Sequence, residues 1–247
     1  MPSILTKSRL LGLAACLLPA VLHCVPVRAQ TVEPGVVFST ARPGSGLPSG
    51  WQNRPVLPGK KMTGYVLVAD QGTTVLEADA SGSASGLVHE GDFDLNKTPV
   101  VSWRWKVAAP IQNADNRVAD REDSPARLVF FFGGQVDSLS IGDRAEMFAA
   151  HALGESLPYA TLMYIWTNSA APGTVIENPH SSRVQMIVVG NEVGKWQSLR
   201  RNVVADFEKV FHEKPGKLTG YGILTDTDNT GGVARAWYGD IRFSPQN

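Results

Sequence analysis

The sequence predicts an all-β protein, an antiparallel β-sandwich of jelly-roll-like type with two short helices. Three observations predict it. About ten or eleven short segments have strand patterns, turn residues separate them at short intervals, and helical periodicity occurs only twice. A parallel α/β fold would need a helix between most pairs of strands, and those helices are missing from the pattern.

The N-terminal segment has the pattern of a secretory signal peptide. Lys7 and Arg9 give it a basic start, the apolar run from Leu10 to Leu22 follows, and Val27-Arg-Ala29 fits a small-x-small cleavage site. The apolar run is shorter than the roughly 20 residues that a membrane-spanning helix needs. We therefore expect a cleaved signal peptide and no membrane span.

Cleavage after residue 29 defines the expected organisation of the chain. Residues 30–247 contain no stretch of linker composition and no internal repeat, so we expect them to fold as a single β-sandwich domain. The protein is then periplasmic or secreted. A lipoprotein signal at Leu13-Ala-Ala-Cys16 is the alternative, although it leaves a very short apolar region before the cysteine.

Charge and cysteine content exclude several classes of function. Removal of Lys7, Arg9 and Arg28 changes a balance of 23 basic and 23 acidic residues to a net charge of −3. A slightly acidic protein without a basic cluster is not expected to bind nucleic acid or anionic lipid. Cys16 and Cys24 both lie in the signal segment, so the exported protein has neither a disulfide nor a cysteine nucleophile.

The strands follow one another in quick succession. Tyr65–Ala69 and Thr74–Ala78 are separated by hairpin spacing with Gly72 in the turn. Val100–Val107 alternates strictly, with Val101, Trp103, Trp105 and Val107 on one face, which predicts one buried and one polar side. Ala126–Phe132 is apolar at almost every position, as in a central strand covered on both sides. Further strands are predicted at 36–38, 87–89, 161–166, 184–189, 196–200, 218–224 and 234–243.

Two segments have helical periodicity. Residues 143–153 predict one short helix with Asp143 as its N-cap, and residues 204–211 predict the other, with Phe207, Val210 and Phe211 on one side. No catalytic signature accompanies these elements. The sequence has no G-x-S-x-G, no H-E-x-x-H, no phosphate-binding glycine loop and no C-x-x-C, so we lean towards a protein that is not an enzyme.

A loop near the C-terminus carries the densest polar cluster of the chain. It contains Asp226, Asp228, Asn229, Thr230, Gly231 and Gly232. Oxygen ligands are what calcium prefers, so Asp226 and Asp228 are candidate ligands of a structural calcium, the one cofactor considered. The alternative is a tight connection between strands, in which Asx side chains bond their own backbone. Together with Asn229 they are also candidate ligand-binding residues.

A second polar cluster precedes the apolar strand at 126–132. The run from Asp115 to Asp123 is either a solvated loop or part of a buried network beside a cleft. In the second interpretation Asp123 pairs with Arg127 and Arg104, because an arginine on a buried strand needs a carboxylate partner. Trp166 ends another apolar strand, and at a sheet rim its indole could stack on a sugar ring.

Several segments together resemble a known family. The chain from about Phe38 to Phe243 is similar to an exported bacterial family called DUF3047, a domain of unknown function, for which no activity is implied. The segments that carry the resemblance are Trp103-Arg-Trp-Lys106, the acidic run before Ala126-Arg-Leu-Val-Phe130, Leu162-Met-Tyr-Ile-Trp166, Asn178-Pro179, Arg201-Asn-Val203, Thr225-Asp-Thr-Asp-Asn-Thr230 and Trp237-Tyr-Gly-Asp-Ile241.

The last predicted strand carries a looser resemblance. Trp237-Tyr-Gly-Asp-Ile-Arg-Phe243 is similar to the closing strand of galactose-binding-like jelly rolls. That group includes carbohydrate-binding modules, which often hold a structural calcium. Fold-level analogy does not by itself carry function.

These observations support a leading function and two rivals. The leading one is an exported envelope protein that binds a polar ligand, for example a glycan, without catalysis. The first rival is a carbohydrate-active hydrolase or lyase that uses paired carboxylates, with Asp123, Asp226 and Asp240 as candidates. The second is an assembly protein of the envelope, which would expose an apolar patch.

Overall fold

The computed structural model describes residues 35–152 and 156–246. The proposed signal peptide, with Cys16 and Cys24, and the helix end at Leu153 lie outside the described residues. The strands are β1 (Trp51–Pro55), β2 (Gly64–Asp70), β3 (Thr73–Ser81), β4 (Ala84–Phe93), β5 (Val100–Val107), β6 (Arg127–Phe132), β7 (Ala160–Trp166), β8 (Val175–Asn178), β9 (Ser181–Gly190), β10 (Gln197–Asn202), β11 (Leu218–Asp226), β12 (Val233–Tyr238) and β13 (Arg242–Ser244). The α-helices are α1 (Ile141–Ala152) and α2 (Val203–Phe211).

The strands form two sheets. One has seven strands in the order β1-β4-β11-β6-β7-β9-β8, and the other has β10-β5-β12-β3-β2 with β13 paired to β5. Neighbouring strands are antiparallel except β7 and β9, which are parallel. The predicted β-sandwich with two short helices is therefore confirmed. The domain limits of 30–247 stay a prediction.

The core lies between the two sheets. It contains the inward side of β5, and Val101, Trp103, Trp105 and Val107 are all buried in it, as their alternation predicts. Trp103 stacks on Tyr164 of the facing sheet, with ring centroids 5.2 Å apart. The polar side of β5 therefore faces outward, away from the seven-stranded sheet.

Some predicted elements are wrong in detail. Residues 36–38 form no strand; only Val36 pairs, in an isolated bridge with Ile241, and a 3-10 turn follows at Phe38–Thr40. The strand predicted at 234–243 is interrupted between Tyr238 and Arg242 and forms β12 and β13. The sequence reading missed β1 and β8, which are short edge strands with little apolar alternation.

Both helices begin at polar caps. The cap of α1 is Ser140, because its Oγ accepts a hydrogen bond from the backbone N of Asp143 at 3.1 Å. Asp143 lies in the first turn, so its prediction as the N-cap is wrong. Asn202 caps α2 and accepts from the backbone N of Ala205 at 3.0 Å. No helix in the described part of the chain is long and apolar enough to cross a membrane.

Candidate functional site

Part of the predicted polar network lies on the outer side of the seven-stranded sheet. Arg127 begins β6 and is 1% exposed. Its Nε and Nη2 donate to Oδ1 and Oδ2 of Asp226 at 3.1 and 3.0 Å, and its Nη1 donates to Glu122 Oε1 at 2.5 Å. Arg127 therefore has the carboxylate partners that a buried arginine needs, but the predicted partner is wrong: Arg127 pairs with Asp226 and Glu122, whereas Asp123 accepts from Asn229 and Thr230. The sequence reading missed Glu122 as the second carboxylate.

Asp226 has an unusual electrostatic environment. Burial raises the pKa of its carboxyl to about 7; the Arg127 guanidinium opposes this rise, and the carboxylates of Glu122 and Asp123 add to it. The backbone N of Ser124 also donates to Asp226 Oδ1, at 3.1 Å. Asp226 thus links β11 to Arg127 of β6 and to Ser124. Its side chain is almost fully buried, so little of the carboxylate is accessible to a ligand.

Asp123 holds the loop that follows Asp226. Its carboxylate accepts from the backbone N of Asn229 at 3.2 Å, from the backbone N of Thr230 at 2.8 Å and from Thr230 Oγ1 at 2.6 Å. Asp228 instead pairs with Lys60 Nζ at 2.6 Å. Arg127 and Lys60 thus offset the repulsion between the like-charged carboxylates of Asp226 and Asp228.

Carboxylate oxygens of Asp123, Asp226 and Asp228 lie within 4.8 Å of one another, a spacing that could suit a cation. Calcium takes six to eight oxygen ligands, which must be free to turn towards it. Asp123 and Asp226 already receive several protein donors each, and two cationic side chains are adjacent. These contacts favour the alternative to calcium, a tight connection between strands, although Asp123 and Lys60 from other segments hold it.

Two predicted site residues lie elsewhere. Trp166 is fully buried in the core, and its Nε1 donates to the carbonyl of Glu192 at 3.0 Å. Its prediction as a rim residue that stacks on a sugar is therefore wrong: Trp166 is the last residue of β7, but its side chain lies on the same core-facing side as Leu162 and Tyr164. Arg104 lies on the outer side of the six-stranded sheet, so it cannot share a carboxylate with Arg127, which faces outward from the other sheet.

The outer side of the six-stranded sheet carries a row of aromatic and charged groups. Trp237 of β12 is opposite Lys106 of β5, and Trp196 directly precedes Gln197, which is opposite Trp105. Lys106 Nζ lies 5.3 Å from the ring centroid of Trp196 and 4.4 Å from that of Trp237. The lysine is held between two partly exposed indoles, an arrangement stabilised by cation–π attraction. We call this row the indole face.

Asp70, at the end of β2, fixes the indole face. It accepts from Lys106 Nζ at 2.7 Å and from Trp196 Nε1 at 2.7 Å. The hydrogen bond from Lys106 lowers the pKa of the Asp70 carboxyl, with a further contribution from the Trp196 bond, so it is ionised at neutral pH. The Trp196 ring is therefore anchored at its polar edge.

A depression of about 340 Å³ adjoins the indole face. Arg104 lines it, with its guanidinium carbon 4.4 Å from the Trp196 ring centroid. Within the described residues the Arg104 side chain forms no ion pair, unlike Arg235 on the same side of the sheet, which pairs with Asp79 at 2.7 Å. The other lining residues are Ser39, Thr73, Ser102, Trp103, Ser198, Leu199, Asp240 and Arg242.

Sequence reasoning found only part of this surface. It selected Arg104 as a ligand-binding residue but placed it with the wrong carboxylates. The alternation of β5 already put Arg104 and Lys106 on the solvent side, which was a usable signal. Trp196 and Trp237 gave no comparable signal, because their adjacency depends on which strands pair with β5.

The chain is similar to one family of proteins over most of its length. A family model described as a protein of unknown function (DUF3047) matches residues 49–242. No curated protein sequence matches the chain.

Solved structures of similar shape include the Emp47p carbohydrate recognition domain, at 9% identity and a TM-score of 0.42, with 85% of this chain and 94% of that chain covered. Endoglucanase 3 of Trichoderma harzianum, from family GH12, has 10% identity, a TM-score of 0.41 and coverages of 88% and 100%. A family 12 xyloglucanase from Bacillus licheniformis has 10% identity, a TM-score of 0.39 and coverages of 87% and 97%. At these identities no residue of this chain takes a role from those structures.

Proposed function

The chain belongs to the DUF3047 family, and from this premise we propose that it is an exported envelope protein that binds a polar saccharide, without catalysis, at the indole face and the adjoining depression. The observation that carries the proposal is the Arg104 guanidinium, which forms no ion pair within the described residues and lies over the partly exposed indole of Trp196 beside the depression.

The indoles support the saccharide part of the proposal. Arg104 and Lys106, both from β5, lie 4.4 and 5.3 Å from the ring centroid of Trp196, which is nevertheless partly exposed. The exposed part of the ring is the surface that a ligand can reach. A flat, rigid indole offers a large contact area to the C–H face of a pyranose at little cost in conformational entropy.

The depression supplies the polar contacts that a sugar needs. Its volume is at the lower end of the range of small-ligand sites, which runs from about 300 to 1,000 Å³. Ser39, Thr73, Ser102 and Ser198 are among its lining residues, and a hydroxyl both donates and accepts hydrogen bonds. Ser39 Oγ already donates to Asp240 Oδ2 and can still accept. This donor and acceptor set matches the hydroxyl groups of a one- or two-residue saccharide.

The carboxylates support binding over hydrolysis. A glycosidase places two carboxyl groups about 5–9 Å apart across the scissile bond. At the proposed site, Asp240 lines the depression and already accepts from Ser39 Oγ at 2.8 Å and Arg242 Nη2 at 2.9 Å. Asp70, at the indole face, is likewise occupied by Lys106 Nζ and Trp196 Nε1. Asp123 and Asp226, the other carboxylates considered from the sequence, are buried on the opposite side of the sandwich.

Export is the remaining part of the proposal and rests on residues 1–29. We expect the protein recovered from the periplasm or the medium to begin at Gln30. N-terminal sequencing tests this expectation. Recovery of an uncleaved chain from the cytoplasm would contradict it.

Saccharide binding is tested with the exported protein on an array of neutral and acidic glycans, followed by titration calorimetry with each hit. We expect Trp196→Ala to weaken binding by at least about tenfold, because the stacking platform is removed. Arg235→Ala is the matched control, since Arg235 lies on the same side of the sheet in an exposed pair with Asp79. An array without hits, or hits that Trp196→Ala leaves unchanged, would contradict the proposal.

A further inference from the structure

Three arginines surround one serine on the outer side of the six-stranded sheet. Ser102 of β5 is opposite Arg200 of β10 on one side and opposite Arg242 of β13 on the other. Directly opposite residues of antiparallel strands project from the same face. Arg104, two positions along β5, projects from that face as well. The three guanidinium groups therefore share one surface beside the depression.

Their charges are not balanced by protein carboxylates. Arg242 pairs with Asp240 at 2.9 Å. Arg104 and Arg200 form no ion pair within the described residues, whereas the exposed Arg54 pairs with Glu90 at 2.5 Å. Asp240 is paired with Arg242 and Asp70 with Lys106, so Arg104 and Arg200 leave a local excess of positive charge beside the depression. Such an excess attracts an anion into the depression.

The Arg104 side chain is held in position beside the depression by its neighbours. Its guanidinium is stacked on Trp196, and Gly239 leaves room for its stem, because a Cβ at position 239 would lie 2.5 Å from Arg104 Cγ. A planar guanidinium held in one place binds a carboxylate through two parallel hydrogen bonds and loses little entropy in doing so. Hydroxyl groups alone would suffice for a neutral sugar, so the arginines point to an acidic one.

We propose that the saccharide bound at the indole face carries a carboxylate, as a uronic acid does, and that Arg104 receives this carboxylate with Arg200 and Arg242 beside it. The proposal rests on the proposed function, since the ring of the same sugar stacks on Trp196. It assigns a ligand class to the depression: acidic oligosaccharides.

The test compares matched ligands. Oligogalacturonates and oligoglucuronates are titrated into the exported protein alongside their methyl esters, which keep the ring and lose the charge. We expect the acid to bind about 10- to 100-fold more tightly than the ester, the range for a hydrogen bond to a charged group. The difference should shrink at high salt. Arg104→Gln and Arg200→Gln should each reduce it, and Arg235→Gln should not.

Each outcome separates this inference from the proposed function. Equal affinity for acid and ester overturns the inference and leaves saccharide binding intact. Binding of acetate or sulfate as tightly as the uronate overturns the saccharide part and leaves only an anion site. No binding of acidic or neutral sugars overturns both. Arg200 is exposed, so Arg200→Gln is expected to fold normally, and an unchanged melting temperature confirms that a loss of affinity is not a loss of structure.

Discussion

Gly239 and Arg104 are in direct contact on the outer side of the six-stranded sheet. A Cβ at position 239 would lie 2.5 Å from Cγ and 2.7 Å from Nε of Arg104. The absence of a side chain at position 239 is therefore what lets Arg104 lie over Trp196, with its guanidinium carbon 4.4 Å from the ring centroid. A glycine at position 239 thus sets where the Arg104 side chain lies beside the depression.

We predict that Gly239→Ala displaces Arg104 and weakens saccharide binding by about tenfold, with only a small loss of stability because a flexible side chain can move away. Acrylamide quenching of tryptophan fluorescence should increase, since Trp196 loses cover and Trp51, Trp103, Trp105 and Trp166 are buried. Gly64→Ala is the control, because its Cβ would meet only Asp79 O, at 3.7 Å. Unchanged quenching and affinity in Gly239→Ala would show that Arg104 is not placed by Gly239.

The fold could be predicted from sequence because its strongest signals are local. The alternation along Val100–Val107 determines which side of β5 is buried, and the structure agrees at each of the four apolar positions. Edge strands such as β1 and β8 were missed, because a strand that pairs on one side shows less apolar character. The last predicted strand is interrupted between Tyr238 and Arg242, and Gly239-Asp240, two residue types that are depleted in strands, was the local signal for that break.

The candidate site could be predicted from sequence only where a buried charged residue requires a partner of opposite charge. An arginine at position 127 of a buried strand requires a carboxylate, and Asp226 supplies one. A tryptophan at the end of an apolar strand is compatible with an exposed stacking position or with the core, and the tertiary structure places Trp166 in the core. The contact between Trp196 and Asp70 joins residues far apart in sequence, so no local pattern indicates it.

Arg127→Leu should destabilise the protein by about 3–5 kcal/mol, because it leaves Glu122 and Asp226 buried without their shared cation. Urea unfolding followed by circular dichroism measures the change. Arg235→Leu removes an exposed pair with Asp79 and should cost less than about 1 kcal/mol. Similar small effects for both variants would mean that Arg127 is not buried as the structure describes.

Tyr164 and Asp206 connect β7 to α2, and we predict a moderate cost for breaking this link. Tyr164 Oη donates to Asp206 Oδ2 at 2.7 Å, and burial together with this carboxylate raises the pKa of the phenol. Tyr164→Phe should lower the free energy of unfolding by about 1–3 kcal/mol. Asp206 keeps its bonds to Arg201, so the loss should be smaller than that of Asp206→Ala. The reverse order would contradict this assignment.

The pKa of Asp226 predicts a particular dependence of stability on pH. The carboxyl binds its proton more tightly in the folded protein, with a pKa of about 7, than in the unfolded chain, where about 3.9 is usual. Its contribution to stability is therefore fully present below pH ~4 and is lost as the pH rises through about 7. The difference in unfolding free energy between wild type and Asp226→Asn should fall over this interval. A difference that is constant from pH 4.5 to 8 would show an ordinary pKa.

The Asp226 loop is predicted to depend on Asp123 and not on a metal ion. Asp123→Asn should cost about 1–3 kcal/mol, because the carboxylate serves three donors from Asn229 and Thr230. Asp228→Asn should cost less than about 1 kcal/mol, since Lys60 is partly exposed. Thermal melts with EDTA and with calcium should coincide for the wild type. If EDTA lowers the melting temperature and Asp228→Asn removes that shift, calcium holds the loop instead.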